Sequence, residues 1–382
     1  MTDELVEIAR TRLAASSGEV TPQRVAAALR DLGRPVGDAT VLAVHEALCR
    51  DVLGAGPLEP LLRTPGVTDV LVSGPDQVWL DRGQGLEETG VRFTDDAAVR
   101  RLGQRLAAAG GRRLDDASPF VDVRLRDGTR LHAVLSPIAR PGTCLSLRVP
   151  RARVFSLEEL VSTGFTSQIG ARLLKRVVAS RLAFLVSGGT GSGKTTLLTS
   201  LLSVADPRER LVLVEDSSEL RPDHPRVVGL EARPPNLEGA GRVDLRDLVR
   251  QALRMRPDRL VVGETRGAEV VDLLAALNTG HEGGCCTVHA NSAADVPARL
   301  ESLALAAGLP REALHAQLAS AVDVVLHTGR GPGGRRRLVE LAVPKRTPSG
   351  LVEMVTAVRF DLAGLAELGP AADLLDAQLV PP

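Results

Sequence analysis

The hydrophobic pattern changes period twice along the chain. Residues 1–50 read as helical. Leu5, Ile8, Ala9 and Leu13 follow helical spacing, and Val25, Ala28 and Leu29 form a second stripe behind the cap signal Thr21-Pro22. Val41 to Leu53 is a third stretch, ended by Gly54, Gly56 and Pro57. From about residue 57 to 150, short apolar runs lie between turn signals. Val67–Val72 and Gln77–Leu80 read as strands, as do Phe120–Leu125 and Thr129–Leu135 around Arg126-Asp127-Gly128. Ala97–Ala109 reads as a helix closed by Gly110-Gly111, and Cys144–Val149 as a further strand. Together these predict a small α+β domain. Pro150–Phe155 is a short Arg-rich linker. Beyond Ser156 the chain alternates strand and helix: strands at 184–187, 211–215, 260–263 and 285–288, helices from 193, 245, 268 and 293. That order predicts a parallel sheet covered by helices. Beyond residue 330, Gly331-Pro332-Gly333-Gly334-Arg335-Arg336-Arg337 reads as a turn between strands. The predicted organisation is a helical segment at 1–50, an α+β domain at 51–148, a linker at 149–160, an α/β domain at 161–345 and a tail at 346–382.

Composition narrows the function classes. Lys plus Arg and Asp plus Glu each number 47, so the net charge is zero and the basic excess of many nucleic-acid binders is missing. Six Phe, one Trp and no Tyr leave little for stacking bases. No apolar run reaches about 18 residues, and Met1–Glu7 is acidic, so neither a membrane span nor a secretory signal is expected. Four scattered cysteines (Cys49, Cys144, Cys285, Cys286) suit a reducing cytosol. Lysine occurs only at 175, 194 and 345. In a chain that otherwise uses Arg, such a position can mark the need for a compact ammonium.

Lys194 sits in Gly188-Gly189-Thr190-Gly191-Ser192-Gly193-Lys194-Thr195, which fits G-x-x-x-x-G-K-[ST] at every fixed position. An apolar run (Leu182–Val186) precedes it and a helical stripe (Leu197, Leu198, Leu201, Leu202) follows. Glycines let backbone amides face a phosphate chain, and the helix N-terminus adds partial positive charge. Gly188 to Thr196 are the candidate ATP-binding residues, with Lys194 toward the β- and γ-phosphates and the Thr195 hydroxyl toward Mg²⁺. The alternative is a Gly-rich turn that binds nothing; the strand-loop-helix context argues against it.

Phosphoryl transfer needs carboxylates at the carboxyl ends of strands. Leu211–Val214 runs into Glu215-Asp216, with Glu219 shortly after, and Leu260–Val262 runs through Gly263 to Glu264. Glu264 is the candidate metal-side acid, acting on Mg²⁺ through water or orienting the attacking water. Glu215 and Glu219 compete for the second role. A single acid after a strand would more simply be a cap; two downstream of a phosphate loop point to chemistry. Spacing does not say which is the base. The segment Gly280–Ser292 carries His281, Cys285, Cys286 and His289. A zinc site is one reading, but adjacent cysteines on a strand point to opposite faces. His289 as a γ-phosphate contact is another, and two structural histidines a third. Ser292 to Asp295 reads as a helix cap.

In this order the four segments resemble the secretion ATPase family that serves type II secretion, type IV pili and type IV secretion. They correspond to a Walker A loop at 188–195, an Asp box at 214–220, a Walker B strand at 260–264 and a His box at 280–292. Glu231–Asn236, Ala252–Asp258 and Gly263–Gly267 look most like the branch for tight-adherence (Flp) pili and conjugal transfer. The resemblance covers about residues 50–345. It implies a RecA-like P-loop NTPase domain behind a smaller N-terminal domain, in a homo-hexameric ring with nucleotide between the two domains. It further implies an ATPase of the cytoplasm that docks peripherally on an integral inner-membrane partner, with no sequence-specific nucleic acid. Arg124 and Arg148 match family positions from which N-domain arginines reach the phosphates, Arg130 less well; Arg151 and Arg153 read as linker surface. Cys285-Cys286 departs from the family's usual apolar or small polar residues, and no zinc-binding Cys cluster follows the Walker B segment. The rival readings are a RecA-like nucleic-acid motor and a nucleotide-binding regulator of little turnover. A small-molecule kinase is disfavoured because nothing suggests an acceptor lid.

Overall fold

The computed structural model describes residues 5, 8–9, 12–13, 21–30, 37–52, 54–83, 85–125, 127–150, 154–235 and 239–379. Within the predicted first helical stretch Leu5, Ile8, Ala9 and Leu13 are helical, whereas Asp3, Glu4 and Glu7 lie outside the described residues, as do the linker arginines 151 and 153. The chain divides into two compact units, 1–151 and 152–382.

In the first unit, helices Pro22–Arg30 and Asp38–Val52 close a small core of Val25, Leu29, Val41 and Val44 over Ala9. A separate core belongs to the sheet. Its strands are β1 Asp69–Ser73, β2 Val78–Asp81, β3 Leu86–Glu88, β4 Phe120–Arg124, β5 Arg130–Val134 and β6 Cys144–Arg148, in the order β3-β2-β1-β6-β5-β4. All pairs are antiparallel. Alternation decides the faces. Val70, Val72, Val121, Val123, Leu131, Ala133, Leu145 and Leu147 point inward. They form one core with Val99, Leu102 and Leu106 of helix Asp96–Ala109. Asp95 caps that helix, its side chain accepting from the Ala98 amide, and Gly110 ends it.

In the second unit the strands are β7 Phe184–Gly188, β8 Leu211–Glu215, β9 Val227–Glu231, β10 Arg259–Thr265, β11 Cys285–Val288, β12 Val324–Arg330, β13 Arg336–Arg346, β14 Val352–Phe360 and β15 Ala366–Leu368. They form one sheet, β15-β14-β13-β12-β7-β11-β10-β8-β9. The pairs from β12 through β7, β11, β10 and β8 to β9 are parallel; β12 to β15 are joined antiparallel. Of the parallel strands, β7, β8 and β11 are buried at every position, so successive residues enter different cores. Phe184 and Val186 pack with Leu197 and Leu201 on one side; Leu185, Val212 and Val262 pack with Leu248 and Leu273 on the other.

Three features depart from the sequence reading. Strand β9 and helix Arg311–Ala321 were not anticipated. Residues 352–360 and 366–368, placed in a tail by the sequence pattern, extend the sheet. Ala357, Val358 and Phe360, together with Leu375 of the last helix, Ala372–Gln378, join the core cluster that also contains Leu197. The antiparallel hairpin buries these side chains, which is why no composition change marks a boundary at residue 345. Finally, helix Leu157–Ser162, begun by a Ser156–Glu159 capping box, packs Leu157 and Leu160 into the second unit rather than acting as linker.

Candidate functional site

The phosphate loop forms where β7 stops. Gly188 has φ +151, and a Cβ there would lie 2.4 Å from the Thr328 carbonyl oxygen and 2.6 Å from Ser192 Oγ. Gly193 has φ +102, and a Cβ would meet the Phe165 ring at 2.8 Å. Both positions therefore require glycine, on backbone angle and on space. Gly193 also begins helix Lys194–Leu202 without a side-chain cap, so the first-turn amides remain open to an anion. Thr195 and Thr196 lie in that first turn. Lys194 is 7% exposed, and its Nζ donates to the carbonyls of Gly188 and Gly189, at 3.0 Å each. Burial lowers its pKa, the Glu264 charge raises it, and the Arg266 charge lowers it again.

Strands β10 and β11 bring two more groups to Lys194. His289 follows the end of β11; its Nδ1 lies 3.4 Å from Lys194 Nζ and its Nε2 lies 2.7 Å from Glu264 Oε1. Burial and the Lys194 charge hold the imidazole below its ordinary pKa, so the neutral ring accepts from Lys194 at Nδ1 and carries its proton at Nε2. Glu264 Oε2 accepts from Arg266 Nη2 at 2.7 Å. Burial pushes the Glu264 carboxyl up, but the Arg266 hydrogen bond and charge, with His289 and Lys194, outweigh it and hold the group below the ordinary carboxylate range. The second oxygen, Oε1, is buried. His289 Nε2 is its near neighbour. An ionised carboxylate at this strand end, with the Thr195 hydroxyl on the phosphate loop, is a hard oxygen donor set that suits Mg²⁺.

Glu215 ends β8, the neighbour of β10, and packs on Gly263: a Cβ at Gly263 would lie 2.7 Å from Glu215 Cγ. Its Oε1 accepts from the amides of Glu219 and Leu220, both at 2.9 Å. Burial pushes its pKa up to about 7, although those amides pull it back; the Glu219 and Glu231 charges add to the rise. Glu219 itself is exposed in the turn, contributing its backbone amide and a repelling charge.

The two histidines of the 280–292 segment separate. His281 bonds back to the Ala276 carbonyl at 3.2 Å, sealing the end of helix Glu269–Leu277, whereas His289 faces Lys194 and Glu264. Cys285 and Cys286 lie in different core layers, Cys285 with Phe184 and Cys286 with Leu185. They cannot share one metal ion, and burial pushes both thiols up, keeping them protonated. Ser292 Oγ accepts from the Asp295 amide at 3.2 Å in the turn ahead of helix Val296–Ala306, whose N-cap is Asp295 without a side-chain cap bond, so Ser292 is not the helix cap the sequence suggested. Sequence reasoning gave Arg266 no role, although its position two residues past the strand-end acid was a usable signal.

In the first unit, Arg124, Arg130 and Arg148 stand side by side. The register pairs Arg124 with Arg130, Arg130 with Arg148, Arg148 with Asp69 and Asp69 with Asp81. One outward row therefore reads Asp, Asp, Arg, Arg, Arg across five strands. Arg130 holds Asp122 through two hydrogen bonds, Nε to Oδ1 at 2.8 Å being one.

The family described as Type II/IV secretion system protein matches residues 51–330. A Mycobacterium tuberculosis (strain H37Rv) protein described as "Putative conjugal transfer protein" is 56% identical over 346 residues, 89% of this chain and 98% of that protein. The type IV secretion system protein PtlH of Bordetella pertussis is 33% identical over 74% of this chain and 92% of its own length. Among solved structures, the pilus retraction motor PilT with bound ADP matches with a TM-score of 0.53 at 21% identity, covering 75% of this chain and 81% of that one. At that identity the structural likeness speaks for the fold alone.

Proposed function

Because this chain belongs to the Type II/IV secretion system protein family, we propose that it is an ATP-hydrolysing motor that works as a homo-hexamer at the cytoplasmic face of the inner membrane. The work it powers is pilus assembly, secretion or conjugal transfer, through an integral membrane partner. The single observation that carries the chemistry is the convergence of Lys194, His289 and Glu264, within 3.4 Å along the chain of contacts, on an uncapped phosphate loop.

Each residue has a task that follows from its surroundings. The amides of Gly191 to Thr196 take the phosphate oxygens. Lys194, now held by two loop carbonyls, exchanges those bonds for the β- and γ-phosphates. Thr195 and Glu264 would hold Mg²⁺, which would supply charge neutralisation on the same phosphates. Glu264, kept ionised by Arg266, cannot take a proton readily near neutral pH. Glu215, poised at about 7, can, and it is the better general base for the attacking water. His289, with Nδ1 toward Lys194 and Nε2 toward Glu264, links the loop lysine to the strand-end acid. On the family resemblance alone, Arg124 and Arg148 are assigned the role of supplying positive charge to the phosphates during hydrolysis.

The test is mass in solution by light scattering, with and without a slowly hydrolysed ATP analogue and Mg²⁺, with turnover read on the same fractions. A nucleotide-dependent hexamer that hydrolyses ATP supports the motor. A persistent monomer that binds ATP without turnover overturns it in favour of the regulator. Strong, salt-sensitive stimulation by DNA would favour the nucleic-acid motor instead.

A further inference from the structure

Strand β10 carries its acid past the end of its own pairing. Its ladder with β8 stops at Val262–Val214, and its ladder with β11 shifts register between Val262 and Thr265 and stops at Thr265–Val288. Arg266 therefore follows the last paired residue, and no neighbouring strand fixes its backbone. A buried side chain does so instead. Glu269 opens helix Glu269–Leu277 and is 6% exposed. Its Oε1 accepts from the backbone amides of Arg266, at 2.5 Å, and of Gly267, at 2.7 Å. Both amides lie ahead of the helix, in the turn that leaves the strand, so the carboxylate serves that turn. Gly267 leaves room for it: a Cβ there would lie 3.2 Å from Glu269 Oε2. Burying a carboxylate is costly unless it is hydrogen-bonded, and the two turn amides supply the bonds. The helix has other anchors for its own placement. Val270, Leu273 and Leu274 are buried in the core, and Asp272 accepts from Arg246 and Arg250 of the neighbouring helix Leu245–Ala252.

We propose that Glu269 is a positioning residue for hydrolysis: by fixing the Arg266 backbone it keeps the Arg266 guanidinium on the Glu264 carboxylate, and so sets which way that carboxylate faces. The assignment rests on the ATPase reading above and goes beyond it by adding a residue that works through the backbone of its neighbour. Side chains two residues apart share a face in a strand. Arg266 keeps that relation to Glu264, Nη2 to Oε2 at 2.7 Å, one residue beyond the strand's end, where Glu269 takes over from the ladder in holding the amide. With Oε2 so engaged, Oε1 faces His289 Nε2 at 2.7 Å, and Nδ1 of the same ring lies 3.4 Å from Lys194 Nζ. The Arg266 side chain is 58% exposed, so it can swing toward water once its backbone is released. The carboxylate then loses the bond that orients it toward the phosphate loop. A displacement of a reacting group by about 1 Å can cost on the order of a hundredfold in rate. A diphosphate, held by the loop amides and Lys194, should feel little of this change.

The experiment is a double-mutant cycle in the full chain: Glu269→Ala, Arg266→Ala and the two together, with Glu269→Gln as the rescue. It measures kcat, the Kd for ADP and for a slowly hydrolysed ATP analogue, and the melting temperature of the nucleotide-free protein. Glu269→Ala should lose about tenfold or more in kcat while ADP affinity changes by less than about threefold. Glutamine keeps an acceptor oxygen for the two amides, so Glu269→Gln should recover most of the loss. Arg266→Ala should lower kcat by at least as much as Glu269→Ala. Adding Glu269→Ala to it should lower kcat no further, because the buried acid acts on the rate only through the arginine. The fall in melting temperature caused by Glu269→Ala should persist in the Arg266→Ala background, which separates the effect on stability from the effect on rate. Glu269→Asp keeps the charge and withdraws the carboxylate by one carbon. It should lose kcat in the same direction, and it carries the cycle if the alanine variant does not fold. Losses in kcat that multiply in the double variant, a Glu269→Gln as slow as Glu269→Ala, or a Glu269→Ala as fast as wild type would each overturn the assignment. A wild-type protein that neither binds nor turns over ATP would instead overturn the functional reading on which it rests.

Discussion

Strands β4, β5 and β6 of the first unit alternate a buried with an outward side chain, whereas β7, β8 and β11 of the second are buried at every position. The contrast decides where chemistry can sit. A strand covered on one face can display polar groups along its whole length, and the first unit does so: Asp122, His132 and Ser146 lie outward in the middle of β4, β5 and β6, and the arginine row crosses the ends of the same strands. A strand covered on both faces can hold charge only where it ends. Gly188, Glu215 and Glu264 are accordingly at or near strand ends, and Lys194 and His289 lie just beyond theirs. If this division holds, damage at the strand ends should stop the reaction, and damage on the outward face should slow it.

The largest effect should come from Glu215→Gln. Removing a general base typically costs on the order of 10²–10⁴ in rate, so kcat should fall by about that much with nucleotide affinity nearly kept. The pH profile makes the assignment specific. A carboxyl at about 7 is protonated below that pH and free to take a proton above it, so wild-type kcat should rise through about 7 and level off. The glutamine variant should lose that rise. Stability moves the opposite way. The folded-state pKa lies above the ordinary value of 4.5, so the protonated group's contribution is full below about 4.5 and is lost as pH rises through about 7. Thermal melting should show Glu215→Gln gaining on wild type between about pH 5 and pH 8 by about 5–10 °C. A rise in kcat that persists in Glu215→Gln would move the base to another group.

Next in size is Lys194→Ala. Losing one preorganised charge at the phosphates should cost about 10²–10³ in kcat, with ATP and ADP affinity both weakened, as read by steady-state turnover and by titration. This change separates the two regions cleanly, because the folding of the first unit should be untouched. Unchanged affinity and turnover would remove the phosphate loop from the reaction altogether.

How much of this was legible follows from the same contrast. Gly188, Gly193 and Lys194 could be read because each answers a local demand of backbone angle or compact charge that no other residue type meets. The parallel strands were legible because burial on both faces produces unbroken apolar runs, as at Leu211–Val214. Strand β9 escaped because it is a half-exposed edge with only Val227, Val228 and Leu230 to mark it. The antiparallel strands past residue 345 escaped because charged and apolar residues mix along them without a clean period. The division of labour between Glu215 and Glu264 was illegible for another reason. It depends on burial and on Arg266, not on spacing. Among many arginines, Arg124 and Arg148 gave no local signal; family resemblance singled them out, with Arg130 as a weaker match, and register shows that the three stand side by side.

The arginine row supplies the smallest and most discriminating effect. If the row acts on phosphate as a set of charges, Arg124→Ala and Arg148→Ala should each lower kcat by about 10–100-fold, well short of removing a complete arginine finger, because the neighbouring guanidinium groups remain. Affinity for ADP should change little, since the loop and Lys194 hold the diphosphate. Lysine at either position should recover part of the loss if charge is what matters and little of it if the planar fork is needed. Arg130 is the internal control. Its guanidinium is already committed to Asp122, so Arg130→Ala should cost thermal stability of the first unit more than it costs kcat. Three equal losses in kcat, with no difference in melting, would mean that the row acts as one surface with no division between phosphate-facing and structural arginines. The outward face would then need a partner surface, not a single phosphate, to explain it.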